Sequence, residues 1–207
     1  MLCSGQGTNL QAILNAIRAG RLRARVALVV SDRADAFALT RAQRAGVPAH
    51  HVDPKRFANK AEFERAVTLL LDSHRVELVV LAGYMRILSP AFVQHFQHRI
   101  LNIHPALLPA FPGGRSVVDA LEWGAKVTGV TVHLVDEQVD HGPILLQEAV
   151  AIREGDTLPS LLARVHRVEH RLYPRAIQLV LDGHVRVDGR VARVTSKGSG
   201  RARRAKR

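Results

Sequence analysis

The chain is predicted to be an α/β fold, a mostly parallel twisted sheet with helices on both faces and a shortened first strand. Three observations carry this. Short β-branched runs alternate with amphipathic stretches along most of the 207 residues, the pattern of parallel strands joined by helical crossovers. The most apolar run, residues 76–82, has strand length and falls well short of a membrane span. A glycine-rich turn, Ser4-Gly5-Gln6-Gly7, separates a very short first strand from the first helical pattern, as at anion-binding strand-to-helix turns.

The elements follow in order. Residues 1–3 form the stub of the first strand, and a helix opens at Thr8, whose hydroxyl can cap it or donate to a ligand. Residues 25–31 read as a buried strand, and 34–45 as a helix closed by Gly46. A short strand at 47–52, a helix at 60–73 and the strand at 76–82 come next, followed by a short strand at 99–103. The segment 105–114, with Pro105, Pro109, Pro112, Gly113 and Gly114, is too punctuated for regular structure. Loops at the carboxyl ends of parallel strands are where open α/β sheets place ligands. Residues 117–124 read as a helix, and 126–135 with 144–152 as a hairpin-like strand pair around a loop at 136–143. A long helix begins at Asp156 or Thr157, either of which can cap it, and runs toward Gly183 with an interruption near Pro174. A strand pair lies within 185–194. Residues 1–194 are expected to be a single domain and 195–207 a basic, disordered tail.

Composition excludes several classes. The hydrophobic content of 47% suits one normal core. Residues 1–5 show no basic region followed by an apolar stretch, so neither a secretory signal nor a transit peptide is read there. One cysteine, Cys3, allows no intrachain disulfide and no cysteine-based zinc site, which fits the cytoplasm. Half of the net charge of +12 comes from six Lys and Arg residues in the tail. The remainder suits an anionic small substrate as well as nucleic acid, and 4% aromatic content argues against a stacking platform for single strands.

The chemistry concentrates in Asn102-Ile103-His104-Pro105 and Asp140-His141-Gly142-Pro143. An amide can donate to a developing oxyanion, an imidazole can move a proton near neutral pH, and a carboxylate can orient the imidazole and raise its basicity. Singly, each has a plainer reading: Asn102 as a turn cap, His104 as a loop residue, Asp140 as turn chemistry. Gly5 and Gly7 allow backbone to approach a phosphate, although the pattern is neither Gly-x-Gly-x-x-Gly nor a triphosphate loop. Spacing also permits a metal at His166, Glu169 and His170, but a solvated helix face is the default for these residues, and no metal is assigned.

Taken together, residues 4–13 (SGQGTNLQAI), 81–88 (LAGYMRIL), 101–109 (LNIHPALLP), Val132-His133 and 140–147 (DHGPILLQ) resemble the phosphoribosylglycinamide formyltransferase family, in the expected order, from Leu2 to about Gly183. The resemblance implies a Rossmann-like formyltransferase fold. It implies transfer of a formyl group from the co-substrate 10-formyltetrahydrofolate to the amine of glycinamide ribonucleotide in purine synthesis. Asn102, His104 and Asp140 would be catalytic. Gly7, Thr8, Asn9 and Glu169 would hold the ribonucleotide. Lys60, Met85, Arg86, Ile87, Leu88 and Asn102 would hold the folate, with the 136–140 loop around the pterin. No metal, membrane or specific nucleic-acid partner is implied, and the protein would be a monomer or homodimer.

The chain departs from the family in three places. Its first strand is reduced to Met1-Leu2-Cys3 where relatives begin earlier, so either the true start lies upstream or the fold tolerates a stub. Lys60 stands where relatives often carry arginine, which keeps charge and loses bidentate geometry. Residues 114–117 differ from relatives with histidines there. Two close alternatives share the Asn-x-His pattern, a formyltetrahydrofolate hydrolase and a methionyl-tRNA formyltransferase. Both ordinarily carry an additional domain, and the glycine loop favours a phosphorylated acceptor over water or tRNA. A basic nucleic-acid-binding protein is an alternative that rests on charge alone.

Overall fold

Two pieces of sheet meet at Leu2. In the computed structural model, which describes residues 1–195, β1 (Val29–Ser31) pairs in parallel with β2 (Ala49–His51). Strands β3 (Val79–Leu81), β4 (Ile100–His104), β5 (Val127–Leu134) and β6 (Ile144–Ala151) form a four-stranded sheet in that order. Leu2 bridges the two pieces, parallel to Val30 on one side and Leu81 on the other. Its N–H donates to Val80 O at 2.9 Å and its carbonyl accepts from Ala82 N–H at 3.0 Å. The β3–β4 pair is parallel, whereas β4–β5 and β5–β6 are antiparallel. The expected α/β sheet is therefore mixed, parallel around Leu2 and antiparallel at the β5–β6 hairpin. Of the expected tail, residues 196–207 lie outside the described residues.

Side chains alternate across the strands, which divides the core between the two faces of the sheet. Val29, Val80, Leu101 and Ile103 join a cluster with Leu10 and Ile13 of α1 (Thr8–Arg18) and Val165, Leu172 and Tyr173 of α6 (Leu158–Leu181). Val30, Val79, Leu81 and Ile100 join a second cluster with Phe63 and Val67 of α3 (Lys60–Ser73) and Phe92 of α4 (Pro90–His95). Helices α2 (Phe37–Arg44) and α5 (Ser116–Glu122) contribute Ala38, Ala42 and Val117 to the first cluster. A terminal hairpin, β7 (Val185–Asp188) and β8 (Val191–Val194), completes the described chain.

Three expectations need correction. The strands expected at 25–31 and 76–82 shorten to Val29–Ser31 and Val79–Leu81. A strand needs a ladder partner, and beyond the stub at residues 1–3 their upstream halves have none between them. Thr8 does not cap α1: the cap is Gly7 at φ 67°, without a side-chain bond, and Thr8 is the first helical residue. Gly7 is required twice over, since a Cβ there would also meet Ala38 at 2.8 Å. Pro174 does not interrupt α6, which runs unbroken from a Thr157–Ser160 capping box to Leu181. A proline inside a helix removes one hydrogen bond, but Leu172, Tyr173, Ala176 and Ile177 on either side are buried.

The Tyr173 hydroxyl, fully buried, lies 2.6 Å from Leu81 O and 2.9 Å from Leu101 O. It thereby pins α6 across β3 and β4. Replacing it by phenylalanine leaves the packing and removes that donor. Tyr173→Phe is expected to lower the unfolding free energy by about 1–2 kcal/mol in urea titration; an unchanged midpoint would contradict the pinning role.

Candidate active site

Asn102 and His104 lie two residues apart on β4 and so face the same side of the sheet. Across the ladder, His133 of β5 stands opposite Asn102 and Thr131 opposite His104. The 136–143 loop then brings back Asp140. Its return runs so close to β5 that a Cβ on Gly142 would lie 2.0 Å from Leu134 O.

The Asp140 carboxylate organises these groups. Its Oδ2 accepts the Gly113 N–H at 2.7 Å and lies 3.3 Å from His104 Nδ1. Its Oδ1 accepts the Asn102 side-chain N–H at 3.3 Å and lies 3.7 Å from His133 Nε2. His104 Nε2 is 2.8 Å from Phe111 O. Among the described residues four non-glycine residues have positive φ, and two of them, Phe111 at 51° and Asp140 at 50°, are the two that hold His104. Such conformations cost of order 1–3 kcal/mol and persist where the surroundings over-determine them.

Electrostatics set the protonation states. Burial pushes the His104 imidazole below its usual 6.5, against the opposing pull of Asp140 and the Phe111 carbonyl. Burial alone would raise Asp140, but His133, the Gly113 amide and His104 together hold it below the ordinary carboxylate range. The resting pair is thus a neutral imidazole beside a carboxylate. Asp140 raises the imidazole's basicity, as expected of a carboxylate there, but burial is the larger effect. Both ring nitrogens nevertheless face acceptors, so an imidazolium formed during reaction would find a partner at each N–H.

His133 and Asn102 form a second link. His133 Nδ1 lies 2.8 Å from Leu134 O, and its Nε2 lies 3.2 Å from the Asn102 amide nitrogen. The Asn102 amide nitrogen is therefore turned inward, toward His133 and Asp140.

A cleft of about 670 Å³ is lined by these residues. One end is the turn from Gly5 to Asn9, with His166 and Glu169 beside it. There the amides of Thr8, Asn9 and Leu10 precede the first α1 hydrogen bond, Gln11 N–H to Gly7 O at 3.0 Å, and so remain available to an anion. The Asn9 amide donates to Glu169 Oε2 at 3.0 Å, and its own oxygen is buried without a partner among the described residues. Burial raises the Glu169 carboxyl above its usual value.

The other end is lined by Met85, Arg86, Ile87, Leu88 and the 135–140 segment. Met85 and Ile87 are 71% and 63% exposed, an apolar surface left for a flat ring. Ser4 joins the two ends: its hydroxyl donates to Asp32 Oδ1 at 2.6 Å and accepts the Met85 N–H at 3.0 Å.

The structure thus brings together Asn102, His104 and Asp140, with Gly7, Thr8, Asn9 and Glu169 on one side and Met85 to Leu88 on the other. Lys60 is not among them: it sits at the start of α3, 3.9 Å from Glu64. Sequence reasoning gave no role to His133, the Phe111 carbonyl or the Gly113 amide. The period-two pairing of β5 with β4 could have marked His133, whereas the other two depend on loop conformation. Among the described residues no group of three or more His, Cys, Asp or Glu is placed to hold a metal ion, and no helix is long and apolar enough to cross a membrane.

Comparison with known proteins adds the following. Residues 1–177 match the formyl transferase family. The phosphoribosylglycinamide formyltransferase of Bacillus subtilis (strain 168) is 43% identical over 181 residues, 87% of this chain and 93% of its own length. The glycinamide ribonucleotide transformylase 1 from Symbiobacterium toebii superposes with a TM-score of 0.92 at 51% identity, covering 94% of this chain and 92% of that one. The trifunctional purine biosynthetic protein adenosine-3 of Gallus gallus is 47% identical over 187 residues, 90% of this chain. The chain spans about a fifth of the length of that relative, 19%.

The contest between burial and Asp140 can be read by NMR. The His104 ring is expected to titrate below 6.5, and Asp140→Asn, by removing the opposing charge, to move that titration lower still. An unshifted or raised value in the variant would contradict the pairing.

Proposed function

The chain belongs to the phosphoribosylglycinamide formyltransferase family, and from that premise we propose that it transfers the formyl group of 10-formyltetrahydrofolate to the amine of 5-phosphoribosylglycinamide in purine synthesis. The single observation that carries the reading is one cleft lined together by a turn with free helix-start amides, an apolar shelf, and Asn102, His104 and Asp140.

In this reading the amides of the 7–9 turn hold the phosphate, and Glu169 and Asn9 face the ribose. Met85, Arg86, Ile87 and Leu88 flank the folate, and the 136–140 segment wraps the pterin. The amine nitrogen attacks the formyl carbon, a C–N bond forms, and charge develops on the formyl oxygen. Asn102 donates to that oxygen, for which one of its N–H groups must leave His133 or Asp140. Neutral His104 takes the proton from the attacking nitrogen on Nε2, for which that nitrogen must leave the Phe111 carbonyl. The imidazolium so formed is held by Asp140 at Nδ1. It returns the proton to the departing folate nitrogen as the original C–N bond breaks. No covalent enzyme intermediate is required.

In this reading the protein works as a monomer or a homodimer. Cys3 is a buried free thiol, in keeping with the reducing cytoplasm, where we place the protein. No specific nucleic-acid partner belongs to this reading.

Spectrophotometric assay of donor consumption in the presence of the ribonucleotide tests the roles. His104→Ala and Asp140→Ala are each expected to lower kcat by about 10²-fold or more. Rates within about threefold of the unaltered enzyme in either variant would remove that residue from the chemistry.

A further inference from the structure

The row of residues that crosses the sheet at His104 continues to the sheet's edge. His104 of β4 stands opposite Thr131 of β5, and Thr131 stands opposite Gln147 of β6. Cross-strand partners share a face, so the three side chains form one line from the cleft to the last strand, β6. Thr131 is fully buried, whereas Gln147 is exposed. Neither lines the cleft, and neither has a part in the chemistry derived above.

The chain leaving His104 is laid across this line. The Thr131 hydroxyl donates to Ala106 O at 2.7 Å and accepts the Leu108 N–H at 3.1 Å. The Gln147 side-chain amide donates to Thr131 Oγ1 and to Leu108 O, both at 2.9 Å. A hydroxyl has one proton and two lone pairs, and an amide nitrogen has two protons. Every polar site of Thr131 Oγ1 and Gln147 Nε2 is therefore used. Leu107, between the tied residues, fits against Gly129, where a Cβ would lie 2.5 Å from Leu107 Cδ2.

Among the described residues, the side-chain hydrogen bonds that reach residues 105–110 are those from Thr131 and Gln147. Immediately after this anchored stretch come Phe111, whose carbonyl faces His104 Nε2, and Gly113, whose amide donates to Asp140. Both are backbone groups in a loop with little regular structure, and Phe111 is held at φ 51°. Backbone in that region persists only where its surroundings over-determine it.

We propose that Thr131 and Gln147 are positioning residues, which fix residues 106–108 and through them the Phe111 carbonyl and Gly113 amide against His104 and Asp140. The effect on His104 has a definite sign. The titratable groups that face it are Asp140 from the 136–143 loop and His133 from β5, and the Phe111 carbonyl favours its protonated form. Loosening the loop withdraws that carbonyl and lowers the pH at which His104 titrates. It also withdraws the Gly113 amide, one of the groups that hold the Asp140 carboxyl down. A less basic His104 beside a less fixed Asp140 is a poorer base. The expected loss of turnover rests on the formyl-transfer reading, whereas the placement of the two loop groups does not.

Gln147→Met keeps the length of an exposed side chain and removes both donors. Thr131→Val keeps the shape of a buried one and removes the hydroxyl, which Thr131→Ser restores. In NMR of the full chain without substrates, Gln147→Met and Thr131→Val should each speed hydrogen exchange of the Gly113 amide at least about 10-fold. The His104 ring should titrate at lower pH in both, and Thr131→Ser should match the unaltered chain. In the formyl-transfer assay both variants should lower kcat about 10-fold or more, with KM for donor and acceptor within about twofold, and Thr131→Ser should recover most of the loss. Unmoved His104 titration and Gly113 exchange in Gln147→Met and Thr131→Val would overturn the proposal, as would a raised KM at unaltered kcat. Because the NMR measurements need neither substrate, they remain decisive even if formyl transfer is not the reaction.

Discussion

The Asp140 carboxylate is the contact on which the geometry of the cleft depends. It collects the Gly113 amide from the 105–114 loop and the Asn102 side chain and His104 ring from β4. It steadies groups at the margin of regular structure, since residues 105–114 contain little of it and His104 stands at the carboxyl end of a five-residue strand. The carboxylate reaches them through a left-handed backbone at Asp140 and a return at Gly142 that has room for no side chain. Local strain is thereby converted into a fixed arrangement of charge, the usual economy of preorganised sites.

That arrangement opposes two effects of burial. A buried imidazole resists protonation and a buried carboxylate resists ionisation, yet here each supplies part of what the other needs. The result is a resting site with a neutral base and a charged partner, poised to accept a proton and then hold it. Asn102 and His133 extend the same network to the neighbouring strand, so that the acceptor and donor ends of the cleft share one polar centre. Ser4, itself part of the turn at residues 4–9, donates to Asp32 and accepts the Met85 N–H, and so ties that turn to the Met85 segment.

Much of this was legible in the sequence wherever a short-range rule applied. The short strand expected at 99–103 led to Asn102 and His104, the glycine turn was placed before the first helix, and Thr157 was available as a helix cap. What failed were features decided by distant partners. Residues 25–28 have the composition of a strand and are not one, because a ladder needs a neighbour that the stub at residues 1–3 does not provide. Pro174 does not break α6, because its flanks are buried. Thr8 yields the cap to Gly7, because Ala38 packs against the turn. Asp140 could be suspected from its turn but not placed, since its partners include the Gly113 amide, whose orientation no residue type dictates.

The central claim is that one cleft joins an anchored amine directly to an activated formyl carbon. Single-turnover NMR with a donor labelled with ¹³C at the formyl carbon tests it without reference to any variant. The account requires the label to appear as the formamide of the ribonucleotide, and the donor to persist when that amine is withheld. Release of the label as formate at the same rate with or without the amine would contradict it and identify water as the acceptor.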